Sequence, residues 1–371
     1  MSDEKTKYTR QYDGVSDLVY VRLVEACNLH CAHCFIPANP KRMSINQCYS
    51  LPDQIEKFAS HGSIINIRWH GGEPTLFGVD RLRKVLHFLE KDKRYSYVHD
   101  IQTNLINFDE RWAELYHEYF SGVVGVSWDW KVRLMDKDNK ESYKDFNSLF
   151  FDKLKLVSDS GLKVNLVITV TKEFIKWFDE NPLELLSWID KFSILSIHLE
   201  KLTKTGRARD NWETIGVSHR EYSSFMIRLF DIYSLAKNSL NVEFMGISPI
   251  VTREADIKAL RNGAVERIST GCLSGECDTR FHTIDGSGYK FGCSALTSEY
   301  DNVNATSSLT LITVEDIAEA RSVRVQSCDG CKYKPICSSG CLASVKFDGS
   351  GECSGGKMFF SHIENTNENL Y

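Results

Sequence analysis

At 371 residues the chain can bury a large core and exceeds what one compact domain usually needs, so a main domain and a smaller one are expected. Its apolar fraction of 42% and charged fraction of 26% are those of an ordinary soluble protein, and a net charge of −5 gives no case for nucleic acid as a partner. Met1 to Tyr12 lacks the apolar core of a signal peptide and no run reaches the roughly 18 apolar residues of a membrane helix, so no membrane partner and a cytoplasmic location are expected.

Taken in chain order, β-branched apolar runs predict strands at 18–24, 64–69, 97–102, 123–128, 163–170 and 193–199. Between them, helical spacing predicts helices over 44–60 opened by Ser44, 79–92, 108–120 and 146–160 closed by Gly161. Strand and helix alternating in this way predict an α/β fold with a parallel sheet, and six repeats fall short of a closed eight-fold barrel, so a partial (β/α)6 barrel is expected. In such sheets the active site lies at the C-terminal strand ends. An amphipathic stretch at 219–237 reads as a helix packing on a core.

The cysteines are unevenly placed. Four of the twelve precede residue 50, none lies between Cys48 and Cys272, and eight run from Cys272 to Cys353. Disulfides are rare in reducing compartments, so metal ligation is the better account. Cys27, Cys31 and Cys34 follow the first strand with Cys-x3-Cys-x2-Cys spacing. Three thiolates hold three irons of a four-iron cluster and leave the fourth open to another ligand. Structural zinc is the rival reading, but zinc sites usually pair two Cys-x2-Cys knuckles. Cys48 falls in a predicted helix and reads as a buried, inert thiol. About 40 residues after the triplet, His70-Gly71-Gly72-Glu73-Pro74 ends the second strand. Two glycines allow close backbone approach to a ligand, Glu73 can accept from an ammonium, and Pro74 fixes the turn.

Together these features resemble the radical S-adenosylmethionine (radical SAM) superfamily over most of the chain. The resemblance implies that Cys27, Cys31 and Cys34 ligate the catalytic cluster and that Gly71, Gly72 and Glu73 hold the amino group of the cofactor's methionine. It also implies that the Thr103-Asn104 turn lines the site and that Ser127 and Asp129 correspond to a Ser-x-Asp-Gly segment at the ribose, with Trp130 where glycine is usual. Lys140 stands roughly where relatives carry an arginine for the cofactor carboxylate. Leu199 to Ala208 is similar to a loop common after the sixth strand in the peptide-modifying branch.

Cys328-x2-Cys331-x5-Cys337-x3-Cys341, followed by Cys353 and preceded by Cys272, Cys277 and Cys293, resembles the SPASM extension of that superfamily. The resemblance implies two auxiliary four-iron clusters with interleaved ligands, Cys272, Cys277, Cys293 and Cys341 for the first and Cys328, Cys331, Cys337 and Cys353 for the second. Two structural zinc sites would use the same count of thiolates. The expected organisation is an N-terminal extension 1–17, a barrel 18–215, a bridging helical region 216–265 and a SPASM domain 266–371. That last segment, rich in Gly, Ser and Thr, is expected to need its clusters to fold.

The family chemistry implied is one-electron reductive cleavage of S-adenosylmethionine, hydrogen abstraction by the 5′-deoxyadenosyl radical, and electron transfer from the substrate radical to an auxiliary cluster. Cofactors are then S-adenosylmethionine and three 4Fe–4S clusters, and partners a precursor peptide and a flavodoxin- or ferredoxin-like donor. The chain resembles ribosomal-peptide maturases of the cyclophane-forming type and, more distantly, anaerobic sulfatase-maturing enzymes. In the latter a carboxylate base follows the third cysteine of the first auxiliary set, a position held here by Ser294. No separate leader-binding domain is expected, because the first strand begins near Leu18. The expected activity is intrachain cross-linking at an aromatic residue. Asp129, Glu200 and Asp278 are the candidate bases, each of which also reads as an ordinary structural carboxylate. Formylglycine formation, a small-molecule or tetrapyrrole radical enzyme, and a non-enzymatic zinc module are the alternatives.

Overall fold

The computed structural model describes residues 14–36, 41–241, 243–263, 280–300 and 313–368. The six predicted strands form at the expected places: β1 (Val15–Val24), β2 (Ile64–Gly71), β3 (Ser96–Thr103), β4 (Val123–Ser127), β5 (Lys163–Val170) and β6 (Ile194–Lys201). They lie side by side in chain order and are all parallel.

The described sheet is wider than six strands. A two-residue strand β7 (Ile247–Ser248) pairs with β6 at one edge. At the other, β8 (Phe281–Asp285) pairs in parallel with β1, and β9 (Gly288–Phe291) returns antiparallel beside it. The segment that follows the long cysteine-free body therefore enters the barrel sheet, with Leu18 opposite Phe281 and Val21 opposite Ile284.

Among the helices, α1 (Ile45–Tyr49) and α2 (Leu51–Ile55) replace the single helix expected over 44–60. Ser44 and Gln47 close a reciprocal capping box at the start, but Pro52 has no N–H to continue the ladder, and Ser50 both ends one helix and starts the next. Then come α3 (Val79–Lys91), α4 (Glu110–Tyr119), α5 (Tyr143–Asp159), α6 (Lys172–Glu180) and α7 (Glu184–Lys191). Downstream lie α8 (His219–Ala236), α9 (Ile250–Arg261), α10 (Ser294–Tyr300), α11 (Val314–Gln326) and α12 (Lys357–Glu368). The predicted amphipathic face of α8 is buried through Phe225, Met226, Leu229 and Phe230, with Phe230 edge-on to Phe359 of α12. None of the described helices is long and apolar enough to cross a membrane.

Alternation along the strands decides where the site can be. One face, carrying Val19, Val21, Ile65, Ile67, Leu166 and Ile168, is buried against the helices. The other carries cross-strand polar pairs: Arg68 with Asp100 at 3.0 Å, Gln102 with Ser127 at 2.7 Å, and Ser196 with Asn165 at 2.7 Å. An apolar outer face and a hydrogen-bonded inner face make a barrel with a polar lumen.

Candidate active site

The cysteine loop begins where β1 ends, and segments after β2, β3, β4 and β6 grip it. After β2, Gly72 N donates to Val24 O at 2.7 Å and Glu73 N to Ala26 O at 3.0 Å. A Cβ on Gly72 would lie 2.4 Å from Glu25 O and 2.5 Å from Ala26 O, so only glycine lets these two backbones touch. The close approach read from the sequence as an accommodation of ligand is thus made to the cysteine loop itself. After β3, Asn104 Nδ2 donates to Asn28 Oδ1 at 2.7 Å and sits 3.9 Å from Cys27 Sγ. After β4, His30 and Cys31 pair antiparallel with Leu134 and Arg133. After β6, Arg207 N donates to Cys34 O at 3.0 Å, and Gly206, at φ +52°, would place a Cβ 2.6 Å from that same oxygen.

Glu73 is fully buried and its carboxylate is heavily engaged. Oε1 accepts from Thr75 N, Thr75 Oγ1 and Thr103 Oγ1 at 3.0, 2.6 and 2.7 Å, and Oε2 from Asn104 N at 2.8 Å. Burial pushes its pKa up and these donors oppose the rise. Glu73 thereby ties the glycine turn to the Thr103-Asn104 turn, leaving Oε2 the freer oxygen for a further donor. Ser127 accepts from Gln102 on the inner face, while Lys140 is exposed on the short turn Lys140–Ser142.

Two cations absent from the sequence reading stand against the cysteines. Arg133 places Nη1 3.9 Å from Cys31 Sγ, and the Arg207 guanidinium hydrogen-bonds Cys34. Burial lifts the Cys27 thiol to about 11 and that of Cys31 to about 12, with the Arg133 charge opposing both. Arg133 is itself oriented by Asp129, whose Oδ2 accepts from Nε at 2.7 Å and lies 2.6 Å from Nη2. His33 Nε2 is 3.2 Å from the same oxygen, and Thr169 N donates to Oδ1. Burial would raise the Asp129 pKa, but Arg133 and His33 outweigh it and hold the carboxyl well below the ordinary range. So engaged, Asp129 is a weak proton acceptor and a strong anchor for Arg133. Glu200, half-buried on the inner face, faces His198 with Oε2 2.8 Å from Nε2.

Among the described residues no three His, Cys, Asp or Glu side chains converge closely enough to hold a single metal ion. Zinc holds sulfur at about 2.3 Å, whereas a four-iron cube spreads its thiolates over its corners. Three cysteines on one loop with two guanidiniums against them suit an anionic, thiolate-ligated cluster.

Downstream, Cys272, Cys277 and Asp278 lie outside the described residues. The Cys293 thiol is pushed up to about 12 by burial and then by the charge of Cys341, and Cys337 is raised by burial with a smaller contribution from Cys328. A Cβ on Gly355, two residues past Cys353, would meet Cys337 Sγ at 2.6 Å. The structure thus brings Cys337 against the turn that follows Cys353. Arg321 and Arg324 of α11 donate into these loops, Arg321 to Gly340 O at 2.7 Å and Arg324 to Ser339 O at 3.0 Å. Cys48, fully buried in α1, has its thiol pushed up to about 12 by burial.

A parallel partial barrel carries the cysteine triplet at the end of its first strand, and residues 21–173 match the Radical SAM superfamily. The chain carries a radical SAM domain and is an enzyme, of a class that uses S-adenosylmethionine and a 4Fe–4S cluster. It is 24% identical over 339 residues to a cysteine-type anaerobic sulfatase-maturating enzyme of Clostridium novyi, covering 85% of this chain and 84% of that one. It is 21% identical to a serine-type anaerobic sulfatase-maturating enzyme of Klebsiella pneumoniae, covering 91% of this chain and 85% of that one. Its fold is similar to that of anSMEcpe with bound AdoMet and Kp18Cys peptide, at a TM-score of 0.67, 16% identity and coverage of 95% and 97% of the two chains. It is also similar to Streptococcus suis SuiB bound to precursor peptide SuiA, at a TM-score of 0.55 and 14% identity, covering 92% of this chain and 75% of that one.

Proposed function

We propose that this chain is a peptide maturase that oxidises a ribosomally made precursor peptide and joins two of its residues, one of them aromatic, by a carbon–carbon or ether link. In this reading residues 18–215 are the catalytic barrel, 216–265 a bridge and 266–371 a SPASM extension. Cys27, Cys31 and Cys34 hold the cofactor-binding cluster. Cys272, Cys277, Cys293 and Cys341 hold one auxiliary cluster, and Cys328, Cys331, Cys337 and Cys353 the other. Support for a peptide substrate comes from the similar fold of proteins solved with Kp18Cys peptide or with precursor peptide SuiA.

When bound, the clusters and S-adenosylmethionine supply the radical that removes a substrate hydrogen and the acceptor for the electron that substrate then gives up. The chain's residues do the rest. The polar lumen orients the peptide, the buried loop around Cys31 excludes water, and Arg133 and Arg207 offset the charge of the thiolates. Once a substrate carbon has bonded to the ring, restoring aromaticity needs a proton acceptor. Glu200, on the inner face beside His198, suits that role better than Asp129, which Arg133 and His33 already occupy.

The observation that carries cross-linking over formylglycine formation is at Ser294. Its hydroxyl accepts from Arg22 Nε at 2.9 Å and its carbonyl from Nη2 at 2.6 Å, so the position after Cys293 holds a guanidinium-bound serine rather than a carboxylate. Formylglycine formation remains the second reading because the sulfatase-maturating relatives match along most of their length. Anaerobic co-expression with a short aromatic-rich peptide encoded nearby, followed by mass spectrometry and hydrazine trapping, separates the two. Loss of two hydrogens without a trapped aldehyde is expected; a trapped aldehyde on a sulfatase peptide would move the assignment to the second reading.

A further inference from the structure

Arg133 stands directly across a two-stranded ladder from Cys31, so the backbone itself sets its side chain beside that thiol. Ala32 N donates to Val132 O at 3.0 Å and extends the pairing, and Nη1 ends 3.9 Å from Cys31 Sγ. The opposite edge of the guanidinium is held by a carboxylate, with Nε and Nη2 at 2.7 and 2.6 Å from Asp129 Oδ2. Its carbon lies 6.0 Å from the centroid of the Phe146 ring, and the side chain is 11% exposed. Asp129 is itself fixed by Thr169 N of β5 and by His33 Nε2 of the cysteine loop. The end of β4, the strand β5 and the loop together therefore aim one cation at one sulfur.

Resting on the assignment of Cys27, Cys31 and Cys34 to the cofactor-binding cluster, we propose that Arg133 acts through Cys31 to raise the reduction potential of that cluster. One-electron reduction by an external donor adds one negative charge there, so a fixed cation at a ligand sulfur stabilises the reduced form over the oxidised form. A guanidinium stays protonated throughout the working pH range, and buried charges are screened far less than exposed ones. Asp129 carries the opposite charge but binds the Nε and Nη2 edge, leaving Nη1 as the atom turned to the sulfur. Burial acts most strongly on the Cys31 thiol, and among the charges around it Arg133 outweighs Asp129. The same cation makes the reduced cluster a weaker electron donor, so Arg133 exchanges driving force toward the cofactor for ease of reduction.

The test is a potentiometric titration, followed by electron paramagnetic resonance, of the anaerobically reconstituted full chain and its Arg133→Met, Arg133→Gln and Arg133→Lys variants. The cofactor-binding cluster is recognised as the signal that changes when S-adenosylmethionine is added. In Arg133→Met its reduced-to-oxidised ratio at a fixed potential is expected to fall about tenfold, which is 59 mV for a one-electron couple. Arg133→Lys, which keeps the charge but not the fork that Asp129 holds, should lose less. Equilibrium dialysis of S-adenosylmethionine against the oxidised proteins should give the wild-type affinity. An unmoved potential with full iron content overturns the inference, as does a fall in Arg133→Lys equal to that in Arg133→Met. Weakened cofactor binding at an unmoved potential would make Arg133 a cofactor contact instead. If Arg133→Met does not load iron, Arg133→Gln supplies the measurement. Failure of both neutral variants beside normal loading of Arg133→Lys supports the need for a charge beside Cys31, and failure of all three overturns it. A wild-type chain with no signal that responds to S-adenosylmethionine would sink the cluster assignment itself, not merely the role of Arg133.

Discussion

The barrel and the cysteine-rich segment beyond residue 280 are held together by different means. The barrel is wrapped in apolar packing, for example Trp128 edge-on to Trp177 and Trp188 at 5.3 and 4.9 Å, with Phe151 against Trp188 at 5.0 Å. The later segment sends Tyr333, Ile336, Phe359, Phe360 and Ile363 into the barrel's core and has a small cluster of its own, Phe281, Phe291, Leu296, Ile317 and Leu342, but its cysteine loops are poorly covered, with Val345 and Phe347 each more than 60% exposed. Its loops hang on carbonyl hydrogen bonds from Arg321 and Arg324 and on the turns around Gly340 and Gly355. Apolar burial at roughly 25 cal/mol per Å² stabilises the barrel and the α12 contact, whereas the cysteine loops between them have little of it and are expected to depend on ligated metal.

The most severe way to separate the two regions acts on chemistry alone. Cys31→Ala is expected to abolish cleavage of S-adenosylmethionine below detection and to remove one cluster's iron, with the barrel's thermal transition little changed. Measuring 5′-deoxyadenosine release, iron content and circular dichroism on one preparation checks this. An active Cys31→Ala protein would remove the basis for the site. Next in size is stripping all iron by chelation under reductant. Hydrogen exchange should then lose protection across the cysteine loops 327–356 to the level of an open loop while β2 to β5 keep theirs. Equal loss in both regions would erase the contrast.

A third change tests the joint by which the barrel holds its cysteine loop. Gly72→Ala drives a methyl into two backbone oxygens that cannot swing aside, so the loop must shift. Destabilisation of about 3 kcal/mol is expected, read from denaturant midpoints, together with weaker cluster retention. Gly286→Ala, likewise without a positive φ and with its Cβ meeting nothing nearer than Gln47 Nε2 at 3.9 Å, serves as the comparison without the clash.

Much of this was legible in the sequence, for reasons that differ by element. The six strands announced themselves because each has an apolar face against helices, as in Lys163 to Val170, and the cysteine triplet because ligation needs fixed spacing. β8 did not, since its polar residues His282, Thr283 and Asp285 are buried by pairing with β1 and by local hydrogen bonds rather than by hydrophobicity. Arg133 and Arg207 were missed because a cation's role depends on which loop folds against it. The nearest clue was that Asp129 and Arg133 lie four apart beyond a strand end.

The smallest effect concerns the barrel's outer layer, where an ionisable group is buried without the pairing seen in the cysteine-rich segment. His99 is 6% exposed and, among the described residues, neither ring nitrogen has a hydrogen-bond partner; Trp69 and Tyr97 lie 5.9 and 6.2 Å from its ring. Burial pushes its pKa down to about 4, against about 6.5 for the unfolded chain. Between those values the unfolded chain binds a proton that the folded chain refuses, so stability falls as pH drops from 6.5 and the loss is complete below 4. Between pH 7 and 5.5 the linkage removes about 1 kcal/mol of stability. His99→Leu should flatten that part of the profile in denaturant titrations at pH 7, 5.5 and 4.5. An unchanged slope would place the acid sensitivity elsewhere, with His70, pushed down to about 3 first by burial and then by Arg68, as the next group to substitute.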